Sequence, residues 1–317
     1  MFNANKFIEE QTTWMKSELA GEAVIATSGG VDSTVAAVIA HKALGKKLHC
    51  IYVNTGYMRK GESEQVKELF GALGIDVEVI DASQRFYGAL KGVTEPEEKR
   101  KIIGETFIRV FEDRAKETGA TFLVQGTIAP DWIESGSGIR DNIKSHHNVG
   151  GLPEKHGFKL VEPLRDLYKD EVRKVGEALG IPKDTYNRQP FPGPGLAVRI
   201  MGEATPERTK ILQEAVHIAE EEIEQAAAKG ECEIPWQYFA VLLPTKTVGV
   251  LGDKRAYGYT IGVRAVQSID GMTAKYSELP HSVLGRISNR ITRELKDDVN
   301  RVVYDITSKP PGTIEWE

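Results

Sequence analysis

Residues 23–44 constrain the fold of this chain more than any other segment. The apolar run AVIA at 23–26 predicts a buried strand, and the residues from 32 to 44 have the composition of a buried helix. The sequence SGGVDS, at 28–33, links the two and leaves room only for a tight turn. A strand that passes through a tight turn into a helix is one βα unit, and such units build parallel sheets.

The same alternation continues along the first half of the chain. Apolar and β-branched runs predict further strands at 48–53, 77–80 and 121–124. Helical periodicity predicts helices at 62–73, at 96–118 and at 168–179, where Gly180 and Pro182 end the last one. This order of elements predicts an α/β fold with a twisted parallel sheet and helices on both faces.

The length of 317 residues exceeds what one compact core usually requires, so we expect two domains. The stretch QPFPGPGLAVRI, at 189–200, is dense in proline and glycine and marks the boundary. We therefore expect one domain at 1–189 and a smaller domain at 190–317. In the smaller domain, predicted helices at 205–229 and 282–296 accompany β-rich runs at 237–269 and 301–306, which favours an α+β arrangement.

Residues 135–157 interrupt the alternation. This stretch, SGSGIRDNIKSHHNVGGLPEKHG, contains five glycines and has no sustained period. A loop of this length inside a compact domain is usually functional or disordered. We interpret it as a lid that closes over the site.

Composition excludes several classes of protein. The net charge of −5 gives no global attraction to nucleic acid. Cys50 and Cys232 are too few for a disulfide framework and lack the spacing of metal ligands. The chain starts without a signal segment and contains no run of about 18 apolar residues. We expect a cytoplasmic protein that binds neither nucleic acid nor membrane.

The SGGVDS turn predicts a phosphate site. A strand–turn–helix junction gathers unpaired backbone N–H groups at the helix N-terminus, where the helix dipole also favours negative charge. Gly29 and Gly30 allow the backbone to approach an anion closely. The alternative interpretation is a simple turn without a ligand.

This turn differs from the common nucleotide-binding loops. It has no lysine, and the chain contains no Walker A sequence; the turn does not fit G-x-G-x-x-G either. Positive charge for a bound phosphate must therefore come from elsewhere. Asp32 lies beside the expected phosphates, which is consistent with a role in holding Mg²⁺ through its carboxylate oxygens.

SGGVDS resembles the PP-loop of the ATP pyrophosphatases. The resemblance implies an adenine nucleotide alpha hydrolase-like fold and an ATP site formed by Ser28, Gly29, Gly30, Val31, Asp32, Ser33 and Thr34. Enzymes of this superfamily cleave ATP between the α and β phosphates, adenylate a carbonyl oxygen and let a nitrogen or sulfur nucleophile displace AMP. The loop alone does not distinguish GMP synthetases from NAD synthetases or tRNA-thiolating enzymes.

Further stretches resemble the synthetase part of GMP synthetases, from about residue 5 to the C-terminus. The matching stretches are VNTGYMRKGE (53–62), EKRKIIGETF (98–107), QGT (125–127), PDWIES (130–135), IKSHHNVGGLP (143–153), EPLRDLYKDEVR (162–173), QPFPGPGLAVRI (189–200), KTVGVLGDKRAYGY (246–259) and SKPPGTIEWE (308–317). The implied reaction converts XMP, ATP and ammonia into GMP, AMP and pyrophosphate.

Two acidic residues extend the expected metal site. Asp131 and Glu134 are three positions apart at a predicted helix start, so both carboxylates lie on one face. They are candidates, with Asp32, to hold Mg²⁺ or to orient lysines of the lid. The alternative is that they only complement the helix dipole.

The lid carries the candidate catalytic residues Lys144 and His147, with His146 beside them. Donors on a mobile segment are able to close over a polyphosphate and exclude water. An adjacent histidine pair does not have the i,i+4 spacing of a helical zinc site, which excludes that assignment. The alternative is a solvated loop without a catalytic role.

Two segments of the second domain are candidates for binding XMP. Asp253 and Arg255 lie in a short basic turn between two β-like runs, where a nucleotide phosphate fits. The family resemblance implies that Lys309 and Glu315 also bind XMP, and we include Ile314 with them. Lys309 suits a phosphate, and Glu315 is able to accept from the N–H groups of xanthine. The alternative, packing of this segment against its own domain or a neighbouring protomer, is compatible with binding.

The basic run Lys99-Arg100-Lys101 follows Glu97 and Glu98 on a predicted helix. Taken alone, such a run is typical of a solvated helix face. The family resemblance adds only a little support for a contact with nucleotide.

The chain lacks one element of single-chain GMP synthetases, the Gly-x-Cys-x-Gly elbow of a glutamine amidotransferase, because neither Cys50 nor Cys232 has that setting. It therefore resembles the ATP pyrophosphatase subunit of the two-subunit form, which takes ammonia from a separate glutamine amidotransferase subunit.

The C-terminal region resembles the dimerisation domain of the family, so we expect a homodimer. The rival interpretations are an NAD synthetase, a tRNA-thiolating enzyme and a nucleotide-binding module without activity.

Overall fold

The computed structural model describes residues 2–129, 158–186, 188–269 and 271–317. The expected lid at 135–157 lies outside the described residues, as do Asp131, Glu134, Lys144, His146 and His147. Elements are numbered below along the described residues.

The first sheet is parallel and has the strand order β3-β2-β1-β4-β5. Its strands are β1 (Ala23–Ala26), β2 (Leu48–Asn54), β3 (Val77–Asp81), β4 (Phe122–Val124) and β5 (Lys159–Val161). The predicted α/β fold with a parallel sheet is confirmed. Strand β5 was not predicted, because it is a three-residue edge strand with two exposed positions and has no strong apolar pattern.

Helices also occur in this half of the chain. In the part of the chain before residue 189 they are α1 (Ala4–Glu18), α2 (Val31–Leu44), α3 (Glu62–Ala72), α4 (Ser83–Ala89), α5 (Pro96–Glu117), α6 (Lys169–Ala178) and α7 (Lys183–Tyr186). Helix α2 is apolar around most of its circumference, and its residues from Val35 to Ala40 are all buried. A helix of this kind needs cover on several sides. Helices α1 and α6 both pack against it.

The second half contains α8 (Pro206–Ala228), α9 (His281–Glu294) and a sheet of β6 (Gln237–Leu251), β7 (Lys254–Gln267), β8 (Lys275–Tyr276) and β9 (Val299–Asp305). Strands β6, β7 and β8 are antiparallel, whereas β9 pairs with β7 in parallel. Helix α8 packs on β6, and α9 packs on β9. The predicted α+β arrangement is confirmed.

The chain forms two compact units. The first consists of Met1–Thr55, Gly61–Arg85 and Gly104–Arg188, and the second of Gly56–Lys60, Phe86–Ile103 and Gln189–Glu317. The expected division at residue 189 treats the two short segments of the second unit as part of the first domain. The division into one domain at 1–189 and another at 190–317 stays a prediction. No helix within the described residues is long and apolar enough to cross a membrane.

Candidate functional site

The SGGVDS loop joins β1 to α2 at the carboxyl end of the first sheet. Helix α2 begins at Val31, its N-cap is Gly30, and no side chain caps its N-terminus. The N–H groups in the first turn of a helix have no partner within the helix, and the dipole adds partial positive charge there. The local geometry is therefore that of an anion site.

Gly29 is required in this loop for two separate reasons. Its φ of 73° lies in the left-handed region, a backbone conformation that residues other than glycine rarely adopt. A Cβ at this position would also lie 2.7 Å from Cγ2 of Val66, closer than carbon atoms pack. Another residue would therefore have to distort the loop.

Hydroxyl groups fix the shape of the loop. The hydroxyls of Ser28 and Ser33 are hydrogen-bonded at 3.0 Å, and the Ser28 hydroxyl also accepts from the Gly30 N–H at 3.3 Å. Ser33 donates to the Gly30 carbonyl at 3.1 Å, and Thr34 donates to the same oxygen at 2.8 Å. The backbone amides are thus held in place by the loop's own side chains.

A second loop supports the first turn of α2. Gly126 follows β4, the strand that pairs with β1. A Cβ on Gly126 would lie 2.9 Å from the carbonyl carbon and oxygen of Asp32 and 3.0 Å from the nitrogen of Ser33. The sheet order changes direction between β1 and β4, and ligands of such sheets bind in the crevice at this point.

Lys169, the first residue of α6, supplies a cation that the loop lacks. Its Nζ lies 2.5 Å from Oδ2 of Asp32. The side chains are 45% and 28% exposed, so the pair contributes at most about 1 kcal/mol to stability. Sequence reasoning did not identify Lys169, although it lies in the stretch EPLRDLYKDEVR.

The other oxygen of Asp32 is available for a ligand. Oδ1 is buried and makes no hydrogen bond within the described residues. Anionic oxygens of this kind are the ligands that Mg²⁺ prefers, so Asp32 fits the expected metal. No cluster of three or more acidic, histidine or cysteine side chains suited to a metal occurs in the described ranges, which do not include Asp131 and Glu134.

A second cation lies beside the loop. Nη2 of Arg188 donates to Oε1 of Gln65 at 3.2 Å and forms an ion pair with Glu62 at 3.2 Å. Its Nη1 is 3.6 Å from where a Cβ on Gly29 would be. Arg188 and Lys169 both come from distant parts of the sequence, which is why no local pattern revealed them.

In the second unit, Lys309 lines an open cleft of about 620 Å³. The other residues that line the cleft are Gln267 at the end of β7, Ser268, Ile269, Thr273, Ala274, Lys275 and Ser308. Nζ of Lys309 donates to the carbonyl of Gly271 at 2.8 Å, and the backbone of Lys309 pairs with Ala274. The ammonium group is therefore held at a cleft that a ligand is able to enter.

Glu315 is held by a buried arginine. Nε and Nη2 of Arg199 donate to its two carboxylate oxygens at 2.9 and 2.7 Å, and Nε2 of Gln237 donates to Oε1 at 3.2 Å. Arg199 is fully buried, and its guanidinium lies 3.9 Å from the ring centre of Phe239. A carboxylate offers about four acceptor positions, so Glu315 retains one, on Oε2.

The segment around Ile314 packs against its own unit. Arg264 donates to the carbonyls of Ile314, Thr313 and Thr307 at 2.8, 2.7 and 2.9 Å. The indole N–H of Trp316 donates to Asp305 at 3.0 Å. Packing against the domain, which sequence reasoning left open, is therefore present.

Asp253 and Arg255 lie far from Lys309 along the same sheet. They are exposed at the tip of the β6–β7 hairpin, whereas the cleft of Lys309 lies at the opposite end of β7. Strand β7 has 14 residues. At 3.3 Å per residue its ends are about 40 Å apart. One nucleotide does not reach both positions within a single chain.

The expectation of a solvated face is wrong for Lys99. This residue is fully buried, and its ammonium donates to the carbonyls of Ala197 and Ile200 and forms an ion pair with Glu317. Its neighbour Arg100 donates to the carbonyl of Glu317 at 2.5 Å. The sequence offered no signal for these contacts, because their partners lie about a hundred or more positions away.

Two family models match separate parts of the chain. Residues 221–316 match the family model described as GMP synthase C terminal domain. Residues 22–187 match the model described as Queuosine biosynthesis protein QueC.

Curated relatives match over nearly the whole chain. In Methanopyrus kandleri, the GMP synthase (glutamine-hydrolyzing) subunit designated B is 56% identical over 100% of both chains. GMP synthase (glutamine-hydrolyzing) of Thermotoga petrophila is 56% identical over 98% of this chain, which spans 62% of that longer relative. The subunit designated B in Thermococcus kodakarensis is 60% identical over 98% of this chain and 99% of its own. The chain therefore belongs to the family of GMP synthase (glutamine-hydrolyzing) subunits designated B.

Proposed function

We propose that this chain is the synthetase subunit that adenylates XMP with ATP and then aminates it with ammonia, releasing GMP, AMP and pyrophosphate. The observation that carries the proposal is the uncapped N-terminus of α2 with two cations, Lys169 and Arg188, beside it. The triphosphate of ATP fits such a site, since phosphate groups bind helix N-termini and charged side chains.

Residues 28–34 form the ATP site, and the phosphates are received by backbone amides in the first turn of α2, those of Val31, Asp32 and Ser33, because the amides of Ser28, Gly30 and Thr34 already donate within the loop. Lys169 and Arg188 supply the positive charge that the loop itself lacks. Lys144 and His147 are candidates to contact the same phosphates, because they are donors on the expected lid. Mg²⁺ held by Asp32, with Asp131 and Glu134 as further candidates, would neutralise charge on the leaving pyrophosphate.

The reaction has two steps. O2 of XMP attacks the α-phosphorus of ATP, the bond from that phosphorus to the bridging oxygen breaks, and pyrophosphate leaves. Ammonia then attacks C2 of the adenylated base, the C2–O2 bond breaks, and AMP leaves with that oxygen as a proton is released. The protein contributes mainly by positioning the reactants and neutralising charge.

We assign the XMP phosphate to Lys309 and an N–H of its base to Glu315, whose Oε2 retains one acceptor position. Asp253 and Arg255 lie about 40 Å from the cleft of Lys309 within one chain. They bind the same ligand as Lys309 only if two chains share each site. This argument supports the expected homodimer, in which the hairpin of one protomer reaches the cleft of its partner.

The ammonia is expected to come from a separate polypeptide. The relatives of matching length are named as one subunit of the enzyme, whereas the Thermotoga petrophila relative, of which this chain spans 62%, is named without a subunit designation. A separate glutamine amidotransferase subunit therefore completes the enzyme. The cytoplasmic location expected from cysteine usage stays a prediction.

The activity is tested by incubating the pure chain with ATP, Mg²⁺, XMP and ammonium. GMP, AMP and pyrophosphate should form in equal amounts, and glutamine should replace ammonium only after a glutaminase is added. Asp32→Ala should abolish pyrophosphate release and leave the circular dichroism spectrum unchanged. Binding of ATP without XMP-dependent pyrophosphate release would instead identify a nucleotide-binding module, and turnover of deamido-NAD would identify an NAD synthetase.

The shared site is tested by mixing two inactive variants, Lys309→Met and Arg255→Met. In a randomly mixed population half the dimers contain one of each, and each such dimer has one intact site. Mixing should therefore restore about a quarter of the wild-type activity. No recovery after confirmed exchange of protomers would show that both residues act within one chain, or that one of them does not bind XMP.

A further inference from the structure

Lys99 occupies an unusual position for a lysine. It is fully buried, and the side chain of its partner Glu317 is only 3% exposed. The ammonium also donates to the carbonyls of Ala197 and Ile200 at 3.2 and 2.7 Å. Burial lowers the pKa of Lys99, and the ion pair with Glu317 opposes that shift.

The contacts of Lys99 also fix the backbone on both sides of Arg199. The two carbonyls that Lys99 binds belong to residues on either side of Arg199, which itself holds both oxygens of Glu315. Lys99 therefore fixes the backbone that carries Arg199 and, through Glu317, the segment that carries Glu315. Two buried cations therefore hold the C-terminal segment, Arg199 at Glu315 and Lys99 at Glu317.

Glu317 has further partners. Its Oε1 accepts from the Gly202 N–H at 3.2 Å, and its backbone carbonyl accepts from Arg100 at 2.5 Å. Residues 313–317 contain no helix or strand. A segment of this kind is ordered only where specific contacts hold it.

Stability alone does not account for a buried pair of charges. The cost of removing two charges from water offsets most of their attraction, so apolar residues of the same size would serve the fold equally well. What an apolar pair does not provide is a defined position for each oxygen of Glu315, because hydrogen bonds are directional and apolar contacts are not.

We propose that Lys99 is a positioning residue for XMP, acting through Glu317 and Arg199 to hold Glu315 where its free acceptor position meets the base. This inference rests on the proposed function, and specifically on the assignment of Glu315 to XMP. Lys99 itself touches neither substrate; it determines how tightly XMP binds and leaves ATP binding unchanged.

The decisive variant is the double substitution Lys99→Met and Glu317→Gln. It removes the ion pair without leaving a buried charge unpaired, so the fold should be retained. The KM for XMP should rise about tenfold, as expected when charge-assisted hydrogen bonds that order a ligand group are lost. The KM for ATP should stay within about twofold, and the melting temperature should remain close to wild type. Glu317→Gln alone keeps an acceptor for Lys99 but leaves its buried charge unpaired, so it should lower the melting temperature while raising the KM for XMP by only about twofold.

The matched control is Lys6→Met with Glu10→Gln, an exposed pair on α1 with the same chemical changes. It should leave both KM values unchanged. The proposal is overturned if the double variant binds XMP normally by calorimetry, or if the two KM values rise together. If the wild-type chain makes no GMP, the proposed function fails first and the inference falls with it; normal wild-type turnover with an unaffected double variant refutes the inference alone.

Discussion

Gly126→Ala tests whether the loop after β4 fixes the phosphate loop. The added Cβ would lie 2.9 Å from the carbonyl carbon and oxygen of Asp32 and 3.0 Å from the nitrogen of Ser33. These are backbone atoms in the first turn of α2, so no side-chain rotation relieves the overlap. The two segments must separate by about 0.5 Å to reach an ordinary contact distance of 3.4 Å.

The expected loss is larger in activity than in stability. Overpacking of this kind costs about 1–3 kcal/mol, which a domain with a stability of about 5–15 kcal/mol tolerates. A displacement of about 1 Å in a reacting group lowers rates by about a hundredfold, so about half that distance should lower kcat/KM for ATP about tenfold. The KM for XMP should not change.

The assay measures pyrophosphate release as a function of ATP concentration, with urea unfolding to follow stability. Gly71→Ala is the matched control, because a Cβ there meets no atom within 4 Å and the position lies inside α3. Alanine should stabilise that helix by about 0.5–1 kcal/mol and leave the kinetics unchanged. If Gly126→Ala retains the wild-type kcat/KM for ATP, the first turn of α2 is not part of the ATP site.

Two further predictions concern Lys169 and the cysteines. Lys169→Met should raise the KM for ATP about tenfold, because a cation beside the phosphates is lost. It should change the free energy of unfolding by less than about 1 kcal/mol, because the pair with Asp32 is partly exposed. The control Lys174→Met, farther along the same helix, should change neither quantity. Burial raises the pKa of Cys50 from 9.0 to about 12, so dithionitrobenzoate at pH 8 should label Cys232 in the native chain and both thiols only after denaturation. The stability that depends on the neutral Cys50 thiol is complete below pH 9 and is lost above it, so between pH 8 and pH 10 the wild type should lose about 1.4 kcal/mol more than Cys50→Ala. Equal losses in the two proteins, or rapid native labelling of both thiols, would contradict this.

The sequence predicts most of the fold because its signals are local. The strands at 23–26, 48–53, 77–80 and 121–124 are recognised from short apolar runs, and each has a counterpart in the parallel sheet. The helix α1 and the edge strand β5 were missed. Helix α1 mixes apolar with polar residues and buries fully only Met15.

The two candidate sites differ in how much the sequence reveals. The SGGVDS loop is contiguous, so its glycines and hydroxyls could be interpreted before the fold was known. The contacts of Glu315 could not, because Arg199 is 116 positions away and Gln237 is 78. Only the tertiary structure brings these residues together.

The position of Lys169 explains how a loop without lysine is able to serve a triphosphate. A Walker A loop contains its own cation, which is always next to the phosphates. Here the cation lies 137 positions from Asp32 in sequence and is held by that carboxylate at 2.5 Å. If Asp32 holds Mg²⁺ through Oδ1, which makes no hydrogen bond within the described residues, Lys169 keeps its partner on Oδ2, so one carboxylate would place both the lysine and the metal beside the loop. Placing the cation on a separate helix therefore brings positive charge to the loop while the loop itself keeps only small residues, which a lysine within the loop would not allow.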